Sequence, residues 1–320
     1  MTSRAAFDPR GVIPACLLPF HPDLSIDDRS FRKHLRDVTA VPGLSAIAIN
    51  SHASEVASCS FDEQERVLGT AMDEVGSRIP LVHGVYADGS LEAARIARMA
   101  QRGGASCLLV FPPGPLALGA QSRPEMVIAH YKTIADASDL PIICFQYPLV
   151  SGLGYPVDTL LQLLDAVPTI RAIKDWCNNV MQHERQIRLL QSRREPVHVL
   201  STHSSWLYSS LVLGCHGLLS GSGSVIADLQ CALFQAVQAD DMKRARQLND
   251  RIYPLAQAFY ADPFADMHNR MKEALVLLGR IPCAAVRPPL VKLGAAEIAR
   301  IRKALDDGGV LQAGALQLAA

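Results

Sequence analysis

The sequence predicts an α/β protein: a (β/α)8 TIM barrel followed by a C-terminal helical domain. Three observations carry that prediction. Eight short apolar runs recur along the first two-thirds of the chain, and stretches of helical spacing lie between them. After Ala227 the alternation stops, and helical patterns follow one another with no strand between them. Repeated strand–helix units imply a parallel sheet, and eight in succession can close into a barrel. The competing arrangement, an open doubly wound sheet, usually follows its first strand with a glycine fingerprint. Here that turn reads "LLPFHPD".

Taken in order, the strand-like runs are Val12 to Leu17, Ala46 to Ile49, Leu81 to Val85 and Cys107 to Phe111, then Ile142 to Phe145, Ile170 to Lys174, Val197 to Leu200 and Gly217 to Ser220. Amphipathic spacing between them predicts helices at Ile26 to Thr39, Phe61 to Val75, Leu91 to Arg102, Pro124 to Ala137 and Val157 to Val167. Beyond the barrel, Asp228 to Asp240, Met242 to Phe259, Asp266 to Leu278 and Glu297 to Leu305 read as helices. The expected organisation is a catalytic barrel over 8–240, a helical domain over 241–311 and a flexible tail over 312–320.

The totals exclude several functions. With 31 Lys and Arg against 31 Asp and Glu, the 320-residue chain has no net charge, and so no basic footprint for nucleic acid or anionic lipid. No apolar stretch approaches a membrane span, and the N-terminal segment makes a poor signal peptide. The eight cysteines form no CxxC pair and several sit inside apolar runs, which predicts buried thiols in the cytoplasm and not a disulfide frame or zinc site.

One residue stands against the pattern. "TIRAIKDW" ends a buried-looking strand on Lys174, although lysine is almost never buried unless paired or put to chemical use. Lys33, Lys132, Lys243, Lys272 and Lys303 fall on amphipathic helices among charged neighbours, and Lys292 sits in a Pro-bounded connection. Strand alternation places Ile170, Ala172 and Lys174 on one face and Arg171, Ile173 and Asp175 on the other. Lys174 therefore stands at the carboxyl end of the sixth strand, the end that carries barrel active sites. A lysine lining an apolar mouth loses hydration of its charged form, and the neutral amine can attack a ketone. The alternative is a core ion pair with a nearby carboxylate.

From Gly11 to about Leu311 the chain resembles the dihydrodipicolinate synthase/N-acetylneuraminate lyase family of class I aldolases and dehydratases. "GVIPACLLPF" resembles that family's opening strand, and "NSHASEVASCSFDEQERV" its Gly-Thr-Thr-Gly-Glu loop and following helix. "LPIICFQYPLVSG" resembles the strand ending in Tyr-Asn-x-Pro, "IRAIKDW" the Schiff-base strand, and "MKEALVLLG" with "VRPPL" the helical C-terminus. The resemblance implies a 2-oxo acid such as pyruvate bound as an imine on Lys174, no dissociable cofactor or metal, and a homo-oligomer, tetramer or dimer.

The departures bear on the substrate. The family's catalytic tyrosine falls on Phe145, and Tyr147, two residues on along the same face, is the candidate phenol. The loop threonines fall on His52 and Ala53 and its glycines on Ser51 and Ser54, while Glu55 is kept and is expected to order the loop. The arginine that grips the aldehyde's carboxylate falls on Val150 and the partner-subunit tyrosine on Gly114, so true dihydrodipicolinate synthase activity is not expected. Lys174, Tyr147 and His52 are the expected catalytic residues. Ser51, Ala53, Ser54, Phe145, Leu219, Ser220 and Gly221 are the expected substrate-binding ones. "SGSG" at Ser220 to Gly223 reads either as a tight turn or as an anion site. Two other functions stay open: a catalytically lapsed binding barrel, and a metal-dependent hydrolase drawing on His52, Glu55, His83 and His203.

Overall fold

A computed structural model describes residues 7–311; the expected tail over 312–320 lies outside the described residues. Eight parallel strands follow one another: β1 Gly11–Pro14, β2 Ile47–Ile49, β3 Leu81–Val85, β4 Cys107–Val110, β5 Ile142–Gln146, β6 Ile170–Asp175, β7 His198–Ser201 and β8 Gly217–Ser220. The sheet order runs β1-β8-β7-β6-β5-β4-β3-β2. Single bridges from Val12 to Leu44 and from Ala15 to Ala48 draw β1 and β2 together and nearly close the barrel. Both faces of such a sheet are covered, so its strands read as apolar runs without polar alternation.

The outer helices are α1 Asp28–Thr39, α2 Phe61–Val75, α3 Ser90–Arg102, α4 Pro124–Ala135, α5 Val157–Ala166, α6 Val180–Gln191, α7 Leu207–Val212 and α8 Gly223–Gln238. Helix α2 starts where "SFDE" allows it. The Ser60 hydroxyl accepts from the Glu63 N–H at 3.2 Å, and the Glu63 carboxylate accepts from the Ser60 N–H at 2.9 Å. This reciprocal cap satisfies two donors that a helix start leaves orphaned. The "SGSG" segment opens α8, which kinks at Ile226.

Helices α9 Met242–Phe259, α10 Met267–Leu277 and α11 Ala295–Asp307 complete the described chain. The expected domain boundary falls in the turn between α8 and α9. Helix α9 packs on α8 and α11, and α10 on α8, α9 and α11. This placement corrects the reading of Lys272 as a solvated helix lysine: all of Asn269 to Leu275 is buried.

Candidate active site

Lys174 occupies the position the strand pattern gave it, near the carboxyl end of β6, in register with Phe145 on β5 and Leu200 on β7. It is 4% exposed. Its Nζ lies 4.1 Å from the centroid of the Phe145 ring, and the nearby buried ion pairs, Lys272–Glu55 and His183–Asp175, leave it out. Burial pulls its ammonium down to about 7 from an ordinary value of 10.5. The side chain opens on a narrow cavity.

His52 and Ala53 from the loop after β2 form one wall of that cavity. The loop folds into a short 3₁₀ turn over His52–Ser54, with Ser51 in extended backbone. The left-handed positions here are Asn50 and Glu55, not the serines that replace the family's glycines. Glu55 is fixed by Lys272 of α10 and by the Arg287 N–H at 3.0 Å. Its carboxylate therefore ties the loop to the C-terminal helices. The Ser54 hydroxyl donates to the Cys16 carbonyl at 2.8 Å.

His52 is packed against the rings of Phe111 and Phe145, with centroids 4.7 and 5.6 Å away. Loss of hydration, reinforced by Lys174, holds its imidazolium down to about 3, so the ring is neutral. The neutral ring meets Tyr147: the phenol oxygen lies 2.9 Å from His52 Nε2. Burial pushes the Tyr147 hydroxyl above its ordinary value, so it remains a proton donor.

The opposite wall comes from the C-terminal segment. Trp176 stacks on Phe264 at 5.1 Å, and Tyr260, Met267 and His268 complete the lining. Gly221, in the turn after β8, is where His268 comes close: a Cβ on Gly221 would stand 2.9 Å from His268 Nε2.

A model of the dihydrodipicolinate synthetase family matches residues 8–307. The chain belongs to that family. It is 28% identical over 305 residues to 4-hydroxy-tetrahydrodipicolinate synthase of Methanoculleus marisnigri, covering 93% of this chain and 99% of that one. Against the enzyme of the same name from Haloarcula marismortui it is 30% identical over 304 residues, covering 94% of each. Among solved structures, YagE of E. coli K12 in complex with pyruvate superposes with a TM-score of 0.86 at 23% identity, covering 94% of this chain and 99% of that one. A dihydrodipicolinate synthase variant described as the first monomeric one gives 0.87 at 22% identity, covering 97% and 100%. At these identities the superpositions establish the fold. The curated relatives of this family member are lyases.

Within the family frame, the structure gathers Lys174, His52, Ala53, Phe145 and Gly221 at one cavity, with Tyr147 bonded to its wall. It does not bring Ser51, Ser54, Leu219 or Ser220 to that wall. Ser51 and Ser54 turn into the core beneath the loop, and Leu219 is buried beside Ile13. Ser220 Oγ is engaged by Ser204 and Ser222 at 2.8 and 2.9 Å. The four residues of the hydrolase alternative are dispersed: Glu55 is on Lys272, and His83 Nε2 is 2.9 Å from the Asn50 amide. His203, expected at the mouth, turns away toward Asp175, and Thr202 lines the cavity in its place. The sequence reading missed Trp176, Tyr260, Phe264 and His268. Tyr260, Phe264 and His268 fall on the end of α9, a short turn and the start of α10, so no sequence period links them.

Proposed function

We propose that this protein is a class I lyase that binds pyruvate or a similarly small 2-oxo acid as an imine on Lys174 and makes or breaks the adjacent carbon–carbon or carbon–oxygen bond. The observation that carries the reading is a buried lysine nitrogen at the carboxyl end of a barrel strand, facing a cavity and held by an aromatic face instead of a carboxylate. The amine nitrogen adds to the ketone carbon. The carbonyl oxygen then leaves as water, carrying the two protons the nitrogen loses. The resulting imine withdraws electrons from the neighbouring carbon, so a proton there can be removed and an enamine formed. A family member with pyruvate bound, YagE, and the 4-hydroxy-tetrahydrodipicolinate synthase relatives both support this chemistry.

The Tyr147–His52 pair is the proton-handling group in this reading. A neutral imidazole accepts from a phenol that stays protonated, and the pair can pass a proton without either member holding a stable charge. The lysine nitrogen is itself the electron sink, so this step needs no dissociable cofactor. Val150 is 99% exposed and carries no charge to grip an aldehyde's carboxylate, which favours a reaction other than dihydrodipicolinate synthesis. Eight unbridged cysteines suit a reducing compartment such as the cytoplasm. Leu118 and Val150, both almost fully exposed, suit burial in a homo-oligomer.

The test is exchange of pyruvate methyl protons in heavy water. Wild-type protein is expected to catalyse it and Lys174→Met to abolish it. Equal exchange in both proteins refutes the reading.

A further inference from the structure

We propose that Asp175, Cys177, His183 and His203 form a closed four-ligand site for a divalent cation of the zinc type, behind the lysine-bearing face of β6. Alternation along β6 sends Lys174 into the barrel and Asp175 outward. Cys177 follows in the loop after β6, His183 stands near the start of α6, and His203 lies in the loop after β7. Their donor atoms all lie within 4.8 Å of one another, and all four residues are buried.

The distances lie close to those of a coordination shell. Cys177 Sγ is 3.6 Å from Asp175 Oδ2 and 3.7 Å from His203 Nε2, and His203 Nε2 is 3.9 Å from Asp175 Oδ1. Ligands at zinc bond lengths on a tetrahedron stand about 3.3 to 3.6 Å apart. A further contact, His183 Nδ1 to Asp175 Oδ2 at 2.6 Å, is of hydrogen-bond length and would open by less than about 1 Å, and the pairs of His183 with Cys177 and with His203 lie within the same 4.8 Å.

A plain Asp–His hydrogen bond explains that last contact but not His203. Among the described residues His203 Nδ1 has no partner, and Nε2 meets only the weak Cys177 thiol at 3.7 Å and, farther off, Asp175 Oδ1 at 3.9 Å. A buried imidazole left in that state is costly. A cation at the centre would replace the weak thiol contact at Nε2 with a coordinate bond. It also gives the Cys177 sulfur, whose thiol donates to the Asn179 carbonyl at 3.2 Å, a partner on its carboxylate side.

Charge and chemistry agree. Binding releases the Cys177 thiol proton to solvent, and the thiolate and the Asp175 carboxylate together balance a charge of plus two. His183 would bind through Nδ1 with its proton on Nε2, and His203 through Nε2 with its proton on Nδ1. One sulfur, two imidazole nitrogens and one carboxylate oxygen suit zinc, and four protein donors leave no open position, as in structural sites. Part of an outer shell is present: the Gln186 amide donates to Asp175 Oδ2 at 2.9 Å and Trp206 stacks on His203 at 4.1 Å, while His183 Nε2 and His203 Nδ1 have no partner among the described residues. The site would clamp together the segments that carry Lys174, Trp176 and Thr202.

The test uses the full chain, stripped with a chelator under reducing conditions and titrated with cobalt(II), then with zinc. The expected result is about one cobalt per chain, with intense visible bands of tetrahedral coordination and a near-ultraviolet sulfur-to-cobalt band, both removed by zinc. Cys177→Ser should lose the sulfur band, and His203→Ala should bind at least about tenfold more weakly. The wild-type titration needs no variant to fold. Weak octahedral spectra only, or a sulfur band that survives in Cys177→Ser, would overturn the proposal, as would wild-type protein that keeps no zinc through gel filtration.

Discussion

The phenol of Tyr147 and the imidazole of His52 meet at 2.9 Å, although 95 residues separate them in the chain. The contact joins the end of β5 to the loop after β2, beside the ring of Phe145, where the family's tyrosine would stand. It places a hydroxyl near the site by a different route.

Removing that hydroxyl separates chemistry from packing. Tyr147→Phe keeps the ring and its 4.6 Å contact with Phe145. The expected outcome is a loss of about a hundredfold in pyruvate proton exchange, the usual scale for a proton-transfer group, with imine formation retained. Nuclear magnetic resonance of the methyl signal measures the first. An unchanged rate would assign the pair to packing alone.

Lys272 and Glu55 test the link between the loop and α10. Both side chains are almost wholly buried, so Lys272→Met strands a carboxylate away from water. Breaking such a pair from one side costs about 3–5 kcal/mol. Thermal unfolding should show a large drop in Tm for Lys272→Met and a smaller one for Lys272→Met combined with Glu55→Gln. Equal drops would mean that the charge is not what the mutation exposes.

Gly221 tests whether His268 belongs to the cavity. A methyl group there stands 2.9 Å from His268 Nε2 and must displace it. Gly221→Ala should raise KM or lower kcat about tenfold or more, since displacements near 1 Å in active sites have effects up to about a hundredfold. Unfolding curves should hardly move. Unaltered kinetics would remove His268 from the functional surface.

Glu63 gives a pH dependence with a definite sign. The Arg287 guanidinium binds its carboxylate through two nitrogens, at 2.6 and 2.8 Å, and holds it below the usual range despite partial burial. A lowered carboxylate pKa contributes stability above the unfolded value of about 4.3, lost as pH falls through the folded one. Glu63→Gln keeps the helix cap and removes the charge. It should cost about 1 kcal/mol at pH 7, and the difference from wild type should close below about pH 4. A gap that persists in acid would contradict the assignment.

The barrel was legible because a parallel sheet buried on both faces leaves uninterrupted apolar runs. The expected bounds of β3, β8, α2 and α9 coincide with those observed. Lys174 was legible for the same reason: it is the cation such a run cannot absorb. Lys272 was not, because α10 is covered from several sides and its helical period no longer separates inside from outside. Tyr260, Phe264 and His268 stand on three different pieces of backbone, the end of α9, a short turn and the start of α10, so no helical period joins them and only tertiary packing brings them to the barrel mouth. Ser51 and Ser54 were placed by the family's loop pattern, and both side chains are buried, Ser54 on the Cys16 carbonyl. His203 lies one residue past the cavity wall, and in a loop no period reveals which of two neighbours faces inward.

Imine formation on Lys174 is read out by incubation with pyruvate and borohydride followed by peptide mass spectrometry. One reduced pyruvate adduct per chain is expected, located on Lys174 and lost in Lys174→Met. An unmodified Lys174, or an adduct on some other lysine, would contradict the reading.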